Sequence, residues 1–413
     1  MIGRPVGAVV AARGQLIEAE LPFVRVGDGV RVCARDRAVS ARVAALQGTR
    51  ALLAPLGALD GVAGGDRVEA DPAVLAFPFG TPLLGRAIDA AGNPLDGRPV
   101  PRGRRLAVAA QAPPLAERRP CTEPFVTGVR AIDGPLAFGR GARIGVFGAP
   151  GAGKSSLLDA IGRGAEADAV VVGLIGERGR EAERRVAALG ARTTIVCATG
   201  DRPPAERVRA AEVAFAQAGA LRARGLHVLL VVDSLARICA AARETALAAG
   251  EPAGRGGYPP SVFALLARLL ERAGAAARGS VTLVATVLSD GPDEHDPVSE
   301  AARAALDGHL VLSTRLARAG RFPAIDLVRS ASRTLAEAVS PEHLAAARAL
   351  RAAAAALEES RDARALGLGT ADPFLSRCVA LEDALEGFLR QGPEPSAARE
   401  TLTRMLALAD SLE

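Results

Sequence analysis

The sequence predicts an α/β fold with a mostly parallel sheet, preceded by a small β-barrel and followed by a helical C-terminal domain. Residues 1–70 alternate short Val- and Leu-rich runs with Gly and Asp turns, which is typical of a small closed barrel. From about Gly139 to Thr334, apolar strand-like runs alternate with helical segments. After Pro341 the pattern is helical and rich in Ala and Leu. We therefore place the domains at 1–70, 71–338 and 339–413.

The composition limits the class of protein. Of 413 residues, 49% are hydrophobic but only 3% are aromatic, so aliphatic side chains must pack large cores. The net charge of +5 is mild and no basic block stands out, so charge does not point to nucleic acid. The five cysteines are scattered without metal-ligand spacing and are expected to be reduced. No signal peptide and no membrane-spanning run is apparent, which indicates a protein of the cytosol.

One segment has the spacing of a phosphate-binding loop. Residues Gly148, Ala149, Pro150, Gly151, Ala152, Gly153, Lys154 and Ser155 read GAPGAGKS, and Ser156 follows. Lys154 is the only lysine among the 51 basic residues, which favours a site where planar Arg fits poorly. The apolar run at 143–147 predicts a strand, and 155–162 has helical spacing. An accidental Gly-rich turn would lack this strand, loop and helix context, so we predict an anion site at a helix N-terminus.

The loop predicts roles for its own residues and for two later strand ends. Its backbone N–H groups would surround the β-phosphate of a nucleotide such as ATP, Lys154 would reach the β and γ oxygens, and Ser155 would bind Mg²⁺. Glu177 and Arg178 follow the apolar run 169–175, and we assign them to the attacking water and the γ-phosphate region. Asp233 follows the run 226–232, which is the pattern of a carboxylate that holds Mg²⁺. Alone, a Glu-Arg pair is more often a surface ion pair.

Longer segments resemble a known family. These are LLGRAIDAAGNPLDG from Leu83, GVRAIDGPLAFGRGARIGVFG before the loop, the stretch from Leu229 to Gly274, and LDGHLVLSTRLARAGRFPAIDLVRSASR from Leu306. They are similar to type III secretion ATPases, the hexameric motors of injectisomes and flagellar export, which are related to the catalytic subunits of rotary F-type and V-type ATPases. The resemblance spans nearly the whole chain. It implies a β-barrel, a RecA-like α/β core and a helical C-terminal domain.

The resemblance also implies functional residues. Arg333 matches the arginine finger that enters a neighbouring protomer's site, so catalysis would require an oligomer. Phe322 matches an aromatic position that lies against adenine, although without the family it would be assigned to core packing. Arg237 matches an arginine near the phosphates. Tyr258 falls in a loop that faces the pore of such rings, and a structural turn residue is an equal alternative.

The implied protein is a cytoplasmic homohexamer at the inner-membrane base of a secretion apparatus, which hydrolyses ATP with Mg²⁺. Its implied partners are stalk and stator proteins, an export gate and chaperone–effector complexes, with no nucleic acid; membrane association would be peripheral and through partners. The chain begins almost at its first predicted strand, so the N-terminal extension of many relatives is short or missing. Ser376 and Arg377 replace an acidic residue and its neighbour in the helical domain, so cargo specificity does not carry over.

Three alternatives stay open at the level of sequence. A flagellar export ATPase belongs to the same family, although the compact N-terminus favours an injectisome. A non-catalytic nucleotide-binding subunit of a rotary ATPase would lack the carboxylate that this chain has at Glu177. An RNA translocase similar to the transcription terminator Rho would need aromatic stacking platforms in its N-terminal domain, where Phe23 is the only aromatic residue of the predicted barrel.

Overall fold

The computed structural model describes residues 5–103, 106–107, 112–288, 296–367 and 372–412. Three units follow one another along the chain. They are an N-terminal barrel, an α/β core with a sheet covered on both faces, and a bundle of C-terminal helices. The predicted fold class is confirmed.

The N-terminal barrel is closed by six strands in the order β1-β2-β5-β4-β3-β6. Alternate residues point inward, so Val30, Val32 and Leu53 are fully buried in its core. The strands are β1 (Val6–Arg13), β2 (Leu16–Glu20), β3 (Gly29–Cys33), β4 (Ala38–Gln47), β5 (Arg50–Pro55) and β6 (Arg67–Ala70). The last barrel strand therefore ends at Ala70; the three domain boundaries themselves stay predictions.

The central sheet is mostly parallel. The remaining strands are β7 (Ala76–Phe77), β8 (Arg86–Asp89), β9 (Leu106–Ala107), β10 (Arg118–Arg119), β11 (Arg143–Gly148), β12 (Ala169–Ile175), β13 (Thr193–Ala198), β14 (His227–Asp233), β15 (Gly274–Ala276), β16 (Ser280–Leu288), β17 (Gly308–Leu312) and β18 (Ile325–Ser332). The main path runs β18-β17-β11-β16-β14-β12-β13-β8, and only β18 at one edge is antiparallel to its neighbour. The parallel strands β11, β12 and β14 therefore end at the same edge of the sheet.

Helices cover both faces of the sheet. They are α1 (Arg130–Asp133), α2 (Lys154–Gly164), α3 (Gly179–Ala187), α4 (Pro204–Arg222), α5 (Leu235–Ala248), α6 (Pro260–Leu270), α7 (Pro297–Ala305), α8 (Thr314–Arg318), α9 (Leu335–Ala338), α10 (Pro341–Glu359), α11 (Arg361–Ala365), α12 (Pro373–Ala380), α13 (Glu382–Leu389) and α14 (Ala398–Asp410). Helices α4 to α6 pack on one face. Helix α2 and the C-terminal helices pack on the other, with Leu350 and Met405 fully buried.

Candidate nucleotide-binding and catalytic site

The phosphate-binding loop connects β11 to α2, as the sequence predicts. Gly151 and Gly153 have φ values of +80° and +96°, a left-handed conformation that glycine adopts without steric cost. Gly153 immediately precedes α2, so the loop turns directly into the helix N-terminus. The Nζ atom of Lys154 donates hydrogen bonds to the carbonyl oxygens of Gly148 at 2.6 Å and Ala149 at 2.9 Å. The lysine therefore lies over the loop that its ammonium group is predicted to serve.

Asp233 is the last residue of β14 and its carboxylate is buried. Thr286, on the adjacent strand β16, donates from Oγ1 to Asp233 Oδ1 at 2.6 Å. The second oxygen, Oδ2, lies 3.8 Å from Nη2 of Arg185. Because its two oxygens have different partners, the carboxylate is held in one orientation at the carboxyl edge of the sheet.

Glu177 follows β12 and is 8% exposed. Burial raises the pKa of its carboxyl group to about 7, the negative charge of Asp233 adds to the rise, and the positive charge of Arg237 opposes it. Nη1 of Arg237 lies 3.2 Å from Glu177 Oε2 and also donates to the carbonyl oxygen of Gly176. A carboxylate with a pKa near neutrality beside a phosphate site suits a general base.

A cavity of about 620 Å³ opens beside the start of α2. Its lining includes Gly153 and Ser156 at the start of α2, Phe322, and Gln391 of the C-terminal region. A Cβ atom placed on Gly153 would lie 3.8 Å from Cε1 of Phe322, and Phe322 is 46% exposed. The backbone N–H of Gln391 donates to the carbonyl oxygen of Phe322 at 2.8 Å. The cavity has the size of a small-ligand site and one aromatic wall, as a nucleotide base requires.

The exposed arginines Arg178 and Arg333 lie in different places. Arg178 directly follows Glu177 and immediately precedes α3. Arg333 follows β18. Ser332 pairs with Gly308, and Gly308 pairs with Ile144 near the start of β11. Arg333 therefore lies at the edge of the sheet where β11 begins, opposite the edge where β11, β12 and β14 end. The phosphate-binding loop begins at the other end of β11, roughly 13 Å further along the strand at 3.3 Å per residue. Arg333 therefore does not reach the loop of its own chain along this strand.

The residues fit Mg²⁺. Ser155 offers a hydroxyl oxygen and Asp233 a buried carboxylate, which are the hard oxygen donors that this ion prefers. Within the described ranges, no group of three or more His, Cys, Asp or Glu side chains forms an all-protein metal cage. Mg²⁺ that binds together with substrate phosphates usually has only one or two protein ligands.

Four residues near the site were not predicted from the sequence. They are Asp159, Arg185, Thr286 and Gln391, and each contacts a predicted site residue or a residue that does so. No local motif marks them, because each contacts a residue that is distant from it in the sequence.

Comparison with known proteins identifies the family. The sequence profile of the ATP synthase alpha/beta family, nucleotide-binding domain, matches residues 128–332, and the profile of the type III secretion EscN ATPase C-terminal domain matches residues 339–407. The chain is 41% identical to a type 3 secretion system ATPase of Pseudomonas syringae pv. tomato, over 98% of this chain and 94% of that protein. The chain belongs to the type III secretion ATPase family. It is therefore a P-loop ATPase, related to the subunits of ATP synthase.

Other relatives of this type III secretion ATPase include a flagellar protein and a protein whose structure has been solved. A flagellum-specific ATP synthase of Pseudomonas aeruginosa is 42% identical over 90% of this chain and 84% of its own length. The structure of the assembled ATPase EscN from the enteropathogenic E. coli type III secretion system superposes with a TM-score of 0.92 at 36% identity, covering 98% of this chain and all of that chain. EscN in complex with its central stalk EscO gives a TM-score of 0.89. None of the helices in the described ranges is long and apolar enough to cross a membrane.

Proposed function

We propose that this chain hydrolyses ATP with Mg²⁺ in a homohexameric ring, and that the hydrolysis energises type III protein secretion. The observation that carries the proposal is the grouping of Lys154, Glu177 and Asp233 at the edge where β11, β12 and β14 end. The cavity beside Phe322 continues from the same loop and is large enough for a nucleotide base.

Each residue of the cluster has a separate task. Lys154 binds the β- and γ-phosphates as a compact cation, and Phe322 stacks on adenine. Ser155 and Asp233 would hold Mg²⁺, which when bound neutralises charge on the phosphates. Glu177 accepts a hydrogen bond from the attacking water and orients it. Arg237, 3.2 Å from that carboxylate, favours its ionised form.

The finger is supplied by a second copy of the chain. Arg333 is exposed and lies at the edge of the sheet remote from the phosphate-binding loop. In a ring this edge faces the next protomer, where Arg333 stabilises negative charge that develops on the γ-phosphate. Arg178 assists at the γ-phosphate of its own chain. The relative EscN has been solved as an assembled ATPase, which supports a ring.

The partners follow from the family. A central stalk is the partner that EscN has in its solved complex, and we propose an equivalent protein here. We further propose stator, export-gate and chaperone–effector contacts, and a cytoplasmic position at the inner-membrane base. Flagellar export is the second candidate, since flagellum-specific relatives match at similar identity. Complementation of matched injectisome and flagellar deletion strains separates these two functions.

The central experiment mixes two inactive variants. Lys154→Ala should abolish turnover, whereas Arg333→Ala should lower kcat by about 10³-fold or more and leave nucleotide binding largely intact. In equimolar mixed hexamers, roughly a quarter of the interfaces pair an intact Lys154 with an intact Arg333, and these should regain activity. Arg399→Ala, an exposed arginine of α14, serves as the control and should behave like the wild type.

Two results would contradict the proposal. Mixed hexamers verified by native mass spectrometry that stay inactive would exclude the finger in trans. If the protein binds ATP but shows no hydrolysis that depends on Glu177, the non-catalytic subunit is favoured instead.

A further inference from the structure

Arg185 lies in α3, the helix that follows Glu177, and it faces two carboxylates at once. Its Nη2 atom is 3.3 Å from Asp159 Oδ1 and 3.8 Å from Asp233 Oδ2. The arginine side chain is 12% exposed. Asp159 belongs to α2, so one guanidinium group connects the helix after Glu177, the helix of the phosphate-binding loop and the strand end that carries Asp233.

The contact occupies one oxygen of the predicted metal ligand. Thr286 donates to Asp233 Oδ1 at 2.6 Å, and Arg185 is the cation that faces Oδ2. The Asp233 side chain is 8% exposed, so water compensates little of its charge. Arg185 therefore neutralises Asp233 at a distance too long for a strong hydrogen bond, from which an incoming ion could displace it.

Without Arg185, the same space would suit a metal ion. Asp159 and Asp233 would face each other across it without the guanidinium group, and two carboxylates that share a site attract divalent cations. Such an ion would bind without any nucleotide and beside the place where the phosphates need it. A planar guanidinium suits this position, since its N–H groups span two carboxylates in a way that the single ammonium of Lys does not.

We propose that Arg185 is a positioning residue of the metal site, which holds Asp233 and prevents Asp159 and Asp233 from capturing a divalent cation before ATP arrives with Mg²⁺. Metal binding by the chain thereby becomes dependent on nucleotide. The inference rests on the proposed function only in taking Asp233 as the metal carboxylate.

The first test measures Mn²⁺ binding to the full-length protein without nucleotide, from the loss of the free Mn²⁺ signal in electron paramagnetic resonance. Arg185→Met should bind about one Mn²⁺ per chain at least tenfold more tightly than the wild type. Adding Asp159→Asn to that variant should return binding to the wild-type level. Arg207→Met is the matched control, because that side chain is 13% exposed and pairs with Glu244 at 3.1 Å. It should bind Mn²⁺ as the wild type does.

A second test uses a variant whose fold is less at risk. Removing one member of a buried ion pair can unfold a protein, so Arg185→Met is checked first by circular dichroism. Asp159 is 33% exposed, and Asp159→Asn keeps Arg185 in place. Arg185 then pairs with Asp233 alone and competes more strongly with Mg²⁺ for that carboxylate. Mg²⁺ strengthens the binding of fluorescent ADP, and the Mg²⁺ concentration at which this effect is half-maximal should rise by about two- to fivefold.

The outcomes decide the inference separately from the proposed function. A folded Arg185→Met variant that binds Mn²⁺ no better than the wild type would overturn it, as would an Asp159→Asn variant with an unchanged Mg²⁺ requirement. Neither measurement involves hydrolysis or secretion. If Arg185→Met binds Mn²⁺ without nucleotide and the wild-type protein shows no ATPase activity, the role of Arg185 is supported and the proposed function is contradicted.

Discussion

Glu177→Gln should stabilise the protein while it abolishes turnover. Burial and the charge of Asp233 raise the pKa of Glu177 from its ordinary 4.5 to about 7, so the folded state disfavours the ionised carboxylate. Glutamine has nearly the same shape and never ionises. The substitution therefore removes an unfavourable charge together with the group that we propose orients the attacking water.

The size and sign of the effect follow from the two pKa values. Each pKa unit corresponds to 1.36 kcal/mol, so the rise in the pKa of Glu177 from 4.5 to about 7 amounts to about 3–4 kcal/mol in the free energy of unfolding. Below the ordinary pKa, the carboxyl group is protonated in both the folded and unfolded states, and Glu177→Gln has no greater free energy of unfolding than the wild type. Between the two pKa values the unfolded state loses its proton first, so the wild type loses stability as pH rises. Above pH 7 the full difference is present.

Urea denaturation at fixed pH values measures this difference. The unfolding free energy of Glu177→Gln should equal that of the wild type near pH 4 and exceed it by about 3–4 kcal/mol at pH 8. The control is Glu183→Gln in α3, an exposed residue whose replacement should change stability by less than about 0.5 kcal/mol. A difference between Glu177→Gln and the wild type that is the same at pH 4 and pH 8 would refute the reasoning.

Substitutions at three further positions test the proposed base pocket, the hydrogen bond to Asp233 and the packing of the C-terminal helices. Phe322→Ala should weaken ATP binding by about tenfold, the equivalent of one lost base–aromatic stack, whereas Phe322→Tyr should retain the affinity in equilibrium titrations. Thr286→Val leaves a buried carboxylate oxygen without its donor at 2.6 Å, so the free energy of unfolding should fall by about 1–3 kcal/mol and kcat should fall with it. Leu350→Ala empties a fully buried position of α10 and should cost about 2–5 kcal/mol in denaturation experiments, with little change in ATP affinity if the base pocket keeps its shape.

The elements that depend on neighbouring residues could be predicted from the sequence. The apolar run 169–175 is the strand Ala169–Ile175, and the strand predicted at 143–147 extends by one residue to Gly148. These predictions succeed because side-chain periodicity and glycine placement act within a few residues. The phosphate-binding loop is equally local, since strand, loop and helix N-terminus are contiguous.

The contacts between groups that are distant in the chain depend on the tertiary structure. No sequence pattern distinguishes Arg185 from other helix arginines, yet it lies between Asp159 and Asp233 from two other elements. The raised pKa of Glu177 depends on burial and on the charge of Asp233, neither of which can be read from the residues beside it in the chain. The strand register likewise places Arg333 at the edge remote from Lys154. Charges interact through space over a few ångströms, and that separation is fixed by the packing of strands and helices rather than by position along the sequence.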